Sequence, residues 1–277
     1  MSEGRLEVWG DPIDHSLSPV LHAAAYAELG WDWAYGRRRV AERAFSGELA
    51  EHGPRLRGLS LTFPLKAVAF DAAATRHHAA ELTGAVNTLL LTGPEPRGFN
   101  TDVEGLAADL RDAGASGIER ARIVGAGATA TSALVALARL GAKEIDVVAR
   151  RPEAARHLAD LGGQLGVTVS AYAFGTTPEA SAPLTVSTLP GGAEIALDDA
   201  RRLAAVGGLL YDVVYGHWPT TLAGVWLAEG GTAVGGLGML LQQAVRQIRV
   251  FSTGDPLEPL PREEAVVEVM RRALVGG

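Results

Sequence analysis

The 277-residue chain contains no cysteine, so a disulfide framework and thiolate-held metal sites are excluded, and a reducing compartment is the natural setting. No apolar run is long enough to span a bilayer as a helix. Met1 to Arg5 lacks the basic region followed by an apolar core that marks a secretory signal, so a cytoplasmic location is expected. Positive charge is also scarce. The formal net charge is −7, which argues against nucleic acid as a partner but leaves room for an anionic small molecule at a local site. Internal repeats and low-complexity tracts are missing apart from alanine-rich helices. What remains, 47% hydrophobic and 21% charged residues, is ordinary globular composition, and the length favours two domains.

Leu6 to Gly10 reads as a short strand. A helix follows from Ser18-Pro19 to Leu29, with Ser18 suited to the N-cap and Gly30 to the exit. Leu59–Phe63 and Val86–Leu91 read as further strands. Thr101-Asp102-Val103-Glu104 resembles a capping box before a helix that buries Leu106 and Leu110. From about residue 120 the grammar becomes strand, glycine turn, helix, strand: Arg122–Val124, Gly125-Ala126-Gly127, an alanine-rich helix to Leu140, and Ile145–Ala149. Strands are expected again at Leu184–Thr188, Leu209–Val214 and Thr232–Val234, and helices at Met239–Phe251 and Arg262–Leu274. The predicted fold is α/β in two domains. Residues 1–105 form an α/β domain and residues 106–235 a doubly wound nucleotide-binding (Rossmann) domain. Residues 236–277 form helices returning to the first domain.

Gly125-Ala126-Gly127-Ala128-Thr129-Ala130 fits the pattern G-x-G-x-x-G/A. The first glycine permits the tight turn, the second lets a pyrophosphate approach the backbone, and the helix that follows offers free N–H groups. About twenty residues on, an NAD site usually carries an acid. Here the strand ends in Ala149-Arg150-Arg151, and two guanidinium groups suit a 2′-phosphate, which points to NADP. An ordinary tight turn and two solvated arginines are the plain alternatives.

Three N-terminal segments carry polar residues that a core would not retain. In His15-Ser16-Leu17-Ser18-Pro19, Ser18 is explained by capping and Ser16 is left available for a ligand carboxylate. Ser60-Leu61-Thr62-Phe63-Pro64-Leu65-Lys66 ends in a lysine, and Asn100-Thr101-Asp102 supplies an acid. Singly, Lys66 suits solvent and Asp102 a helix start. As a pair they form an acid/base dyad that can stabilise and protonate the alkoxide left when a ketone is reduced.

In order and content these segments resemble the shikimate dehydrogenase family over nearly the whole chain. The matching motifs are Gly10 to Pro19, Leu61 to Lys66, Gly84-Ala85-Val86-Asn87-Thr88, Asn100 to Gly105, the Gly125 turn, and Gly236-Leu237-Gly238-Met239-Leu240 followed by Gln243. The resemblance implies NADP-dependent, reversible reduction of 3-dehydroshikimate to shikimate, in the chorismate and aromatic amino acid pathway, with no metal. It implies catalysis by Lys66 and Asp102. Carboxylate binding would fall to Ser16 and Ser18, and contacts to the ring hydroxyls to Thr62, Asn87, Asp102 and Gln243. Tyr215 would lie at the substrate pocket. Gly125, Ala126, Gly127 and Ala128 match the pyrophosphate loop, and Arg150 an arginine at the 2′-phosphate, with Arg151 beside it as a second candidate. Thr188, Leu189, Pro190, Val213, Gly236 and Met239 match positions near the nicotinamide. A monomer or homodimer is expected.

The chain departs from the family's common pattern at Ser60 (usually Asn), at Ala128 in the glycine turn, at Ala149-Arg150-Arg151 (usually Asn-Arg-Thr) and at Thr221 (usually Pro). Two rivals stay open on sequence alone: a quinate/shikimate dehydrogenase using NAD, and a non-catalytic module of the same fold that binds NADP or a metabolite.

Overall fold

The structure, a computed structural model, describes residues 4–176, 180–216 and 218–275. The chain divides into two compact units, residues 1–105 with 240–277, and residues 106–239.

The first unit begins with β1 (Gly4–Gly10), α1 (Ser18–Leu29), β2 (Trp33–Arg39), α2 (Phe45–His52) and β3 (Gly58–Leu61). It continues through α3 (Lys66–Ala72), β4 (Thr75–Arg76), α4 (His78–Thr83), β5 (Thr88–Leu90), β6 (Arg97–Phe99) and the start of α5 (Asp102–Asp112). Among the described residues its strands form a six-stranded sheet in the order β2-β1-β3-β5-β6-β4. β1 runs parallel to both β2 and β3, whereas β5 is antiparallel to β3 and to β6. Trp9, Phe45, Leu59, Leu65 and Leu89 are wholly buried on this sheet, and Trp9 meets Phe45 edge to face at 6.0 Å. Burying each such side chain stabilises by about 1.5–3 kcal/mol.

Pro19 suits the first turn of α1, and Gly30 closes that helix in the left-handed conformation. Ser18, however, is the first helical residue and not the cap. Leu17 holds the cap position without a side-chain bond, because the chain already turns helical one residue earlier than the Ser-Pro pair suggests.

The second unit holds β7 (Arg120–Val124), α6 (Ala128–Arg139), β8 (Glu144–Ala149), α7 (Arg156–Gln164), β9 (Thr168–Ala173) and β10 (Ala182–Ser187). After these come α8 (Leu197–Ala205), β11 (Gly207–Asp212), α9 (Thr221–Ala228), β12 (Thr232–Gly235) and the start of α10 (Leu237–Thr253). Its six described strands are all parallel, ordered β12-β11-β10-β7-β8-β9. The order reverses between β7 and β10, which is the switch point where doubly wound sheets bind ligands outside the carboxyl ends of their strands. Strands covered by helices on both faces must be apolar throughout. Arg122 of β7 breaks that rule. It is wholly buried beside Asp146 of β8 at 3.7 Å, and donates to the Ala180 carbonyl.

The final helix, α11 (Glu263–Val275), packs on α1 within the first unit. Among the described residues no helix is long and apolar enough to cross a membrane.

Candidate active site

Lys66 is the first residue of α3. Pro64 lacks an N–H and stands just ahead, so the strand stops and the helix starts at the lysine. The Lys66 carbonyl accepts from Val86 N–H at 3.0 Å, which ties the helix start to the segment bearing Asn87. Asp102 opens α5, where the helix N-terminus favours its carboxylate, and its own N–H is satisfied by Asn100 Oδ1 at 3.1 Å. Lys66 Nζ donates to Asp102 Oδ2 at 2.5 Å. Asp102 is 5% exposed. A charge-assisted bond in so dry a place is strong and holds its geometry.

Asn87 organises this centre. Its Nδ2 donates to Asp102 Oδ1 at 2.8 Å and to Thr101 Oγ1 at 3.0 Å. Its Oδ1 accepts from the Thr101 N–H at 2.9 Å and the Thr88 hydroxyl at 2.8 Å. The Asn87 backbone donates to Phe99 and accepts from Leu61, so β3, β5 and β6 all fix where it stands. Both oxygens of Asp102 are therefore held, one by Asn87 and one by Lys66.

The network continues behind the centre. Gln247 Nε2 donates to the Asn87 carbonyl at 3.3 Å, Ser60 Oγ donates to Gln247 Oε1 at 2.8 Å, and the Tyr35 hydroxyl donates to Ser60 at 2.6 Å. Burial raises the Tyr35 pKa, while hydrogen bonds with Ser60 and Ser18 act the other way. His22 stacks on Tyr35 at 3.8 Å and bonds Tyr26 at 2.8 Å, and burial pushes its pKa down to about 3.

Of the substrate residues expected from sequence, Ser16 and Ser18 stand together at the start of α1. Ser16 Oγ accepts from the Ser18 N–H at 3.4 Å, so its oxygen is engaged while its own O–H can donate outward. Thr62 is half-buried just beyond β3. Gln243 is buried on α10, and its backbone lies so close to Gly105 that a Cβ there would sit 2.9 Å from Gln243 N. Its amide donates to Leu240 of its own helix at 2.8 Å, leaving Oε1 for other partners. Tyr215 belongs to the second unit, where it is half-buried, and burial raises its pKa. Tyr35 and Gln247 carry no local sequence signal of a site. Gln247 follows Gln243 by four residues on one predicted helix, the spacing that shares a face, and that was the available clue.

In the second unit, Gly125 adopts φ +115° directly after β7, a conformation that glycine enters freely. A Cβ there would fall 2.5 Å from Thr188 Oγ1. Thr188 is itself fixed by its N–H to Val124 O at 2.8 Å and its hydroxyl to the same oxygen at 3.1 Å. Gly127 caps α6 in extended conformation, a Cβ there would meet nothing within 4 Å, and Ala128 opens the helix. This open, side-chain-free approach to the N–H groups of a helix start fits a pyrophosphate. Arg150 and Arg151 are exposed just after β8, where guanidinium groups can meet a 2′-phosphate. Leu189 and Pro190 line a cleft of about 200 Å³ with Ser187, Asp212, Val214 and Thr220. Val213 N–H donates to Ser187 O, and Gly236 N–H to Val214 O, both at 3.0 Å. Met239 is buried near the start of α10. Among the described residues no group of three or more His, Cys, Asp or Glu side chains is placed to hold a metal ion.

A glycine turn at the switch point of a parallel sheet, in a chain that also builds a buried lysine–carboxylate pair, defines the class: a dinucleotide-dependent oxidoreductase. The profile of the shikimate dehydrogenase substrate binding domain matches residues 8–89. A shikimate dehydrogenase (NADP(+)) of Methanothermobacter thermautotrophicus is 33% identical, and the alignment covers 96% of each chain. The crystal structure of Mycobacterium tuberculosis shikimate dehydrogenase is 40% identical, with TM-score 0.85 and 99% of each chain covered. A Thermus thermophilus shikimate 5-dehydrogenase, solved in complex with NADP(H) and shikimate, is 29% identical with TM-score 0.78, covering 97% of this chain and 99% of that one. The chain belongs to the shikimate dehydrogenase family.

Proposed function

We propose that this chain reduces the ketone of 3-dehydroshikimate to shikimate, reversibly, with NADPH. The observation that carries the reading is the Lys66–Asp102 pair, 2.5 Å apart and anchored by Asn87. When bound, the nicotinamide of NADPH supplies the hydride. Lys66, charged and held by Asp102, donates a proton to the former carbonyl oxygen, and takes it back in the oxidising direction. Asp102 remains a carboxylate, orients the ammonium and accepts from a ring hydroxyl. The Ser16 and Ser18 hydroxyls donate to the substrate carboxylate, and Thr62, Asn87 and Gln243 hold ring hydroxyls. Tyr215 serves as a further substrate contact.

For the cofactor, the Gly125-to-Ala128 turn receives the pyrophosphate, and Arg150 and Arg151 the 2′-phosphate. Thr188, Leu189, Pro190, Val213, Gly236 and Met239 surround the nicotinamide. Residues 1–105 with the C-terminal helices serve as the substrate part and the parallel-sheet unit as the cofactor part, in a cytoplasmic protein acting as monomer or homodimer. Support comes from the chemistry of these side chains and from family membership.

The test is the absorbance of reduced nicotinamide with shikimate as substrate and NADP or NAD supplied separately. Fast reduction of NADP and slow reduction of NAD is the expected result. Activity with NAD alone would contradict the role given to Arg150 and Arg151. No activity from folded protein would overturn the dehydrogenase reading.

A further inference from the structure

We propose that Asp212 and Thr220 are positioning residues that fix the segment bearing Tyr215, and so set affinity for the substrate and not for the cofactor. The inference rests on the reading above that Tyr215 meets the substrate.

β11 ends at Asp212, a carboxylate buried to 1% exposure. Desolvation raises its pKa, and a buried carboxylate is costly to keep unless its oxygens are hydrogen-bonded. The bonds it makes are informative. Oδ1 accepts from Val214 N–H at 3.1 Å, and Oδ2 accepts from the Thr220 hydroxyl at 2.7 Å. Thr220 Oγ1 in turn accepts from Ala223 N–H at 3.2 Å and caps α9. One carboxylate thus holds Val214 on one side of Tyr215 and Thr220 on the other, and Thr220 is tied to a helix.

The near end has a second anchor. Val213 N–H donates to Ser187 O, and the Val214 carbonyl accepts from Gly236 N–H. Glycines form the floor. A Cβ on Gly236 would lie 2.2 Å from the Val213 oxygen, and one on Gly235 would lie 3.0 Å from the Trp218 ring. Val213, given a place near the nicotinamide, therefore keeps its own strand-like bonds if Thr220 lets go. Tyr215 sits farther along and depends on both ends being held. A side chain that must reach a substrate loses affinity when its backbone is free to wander.

The full-length chain and two variants decide the matter. Thr220→Val keeps the shape and removes the hydroxyl, whereas Thr220→Ser keeps the hydroxyl. We expect Thr220→Val to raise KM for shikimate roughly five- to tenfold, the worth of a lost hydrogen bond, with KM for NADP within about twofold. Thr220→Ser should restore the wild-type value. Amide hydrogen exchange at Val214, whose N–H bonds the Asp212 carboxylate, read without ligands, should be faster in Thr220→Val than in the other two. Asp212→Asn, which keeps the Val214 bond and weakens the Thr220 bond, should fall between, and it serves as the deciding variant should Thr220→Val fail to fold. The proposal is overturned by unchanged exchange in the valine variant, by shikimate and NADP KM rising together, or by serine failing to rescue. If the wild type does not oxidise shikimate, the dehydrogenase reading fails separately, and the exchange data still test the anchoring.

Discussion

The two units build their candidate sites by opposite means. Around Asp102 the first unit uses hydrogen-bonding side chains, in a run through Lys66, Asn87, Gln247, Ser60 and Tyr35 in which the link from Gln247 goes to the Asn87 backbone carbonyl. Around Gly125 the second unit uses missing side chains: a glycine at positive φ against Thr188, another facing open space, and a helix start left bare. Chemistry on a substrate needs a charge and a proton held at one atom, which only side chains provide. Holding a pyrophosphate needs backbone N–H groups and close approach, which side chains obstruct.

The largest effect should come from breaking the side-chain site. Asp102→Asn leaves the Lys66 ammonium without its anion and turns an amide toward Asn87. Turnover should fall by about 10² or more, with NADP affinity preserved. Steady-state kinetics with both substrates varied measures this, and wild-type turnover would refute the orienting role.

The matching lesion in the second unit is Gly125→Ala. The new Cβ meets Thr188 Oγ1, at a backbone angle that L residues avoid, and strain of this kind costs of order 1–3 kcal/mol. The KM for NADP should rise about tenfold or more while the KM for shikimate holds. A thermal melt should show a matching loss of stability. A shift in the shikimate KM alone would blur the division between the units.

A smaller effect separates the units by pH. His22 titrates near 6.5 when unfolded and is pushed down to about 3 by burial in the first unit. Between those values the unfolded chain binds a proton that the folded chain refuses. The stability contribution is thus complete above about pH 6.5 and is lost as pH falls toward 3, by at most about 1.4 kcal/mol per pH unit. Replacing His22 by Gln should flatten the fall in Tm between about pH 7 and pH 5. An identical slope in both proteins would remove His22 from the account.

How much of this was legible from sequence differs between the units in the same sense. The strand–glycine–helix–strand order was readable because each element carries its own local signal. β7, α6 and β8 fall at Arg120–Val124, Ala128–Arg139 and Glu144–Ala149, close to the ranges expected. The Lys66–Asp102 pair could be suspected from residue types, yet its closeness is a long-range fact that strands β3, β5 and β6 create together. β2 was missed because it is an edge strand ending in Arg37-Arg38-Arg39, whose charges read as loop. Tyr35 lies on that missed strand, so its place in the network was invisible. Ser18 was misplaced by one residue, since Ser before Pro looks like a cap wherever the helix begins.

The most direct test of the division of labour is Lys66→Ala, measured for turnover and for NADP dissociation in the same preparation. The prediction is a fall in turnover of about 10² to 10⁴ with the dissociation constant for NADP unchanged within about twofold. Turnover at the wild-type level, or turnover and NADP affinity collapsing together, would contradict it.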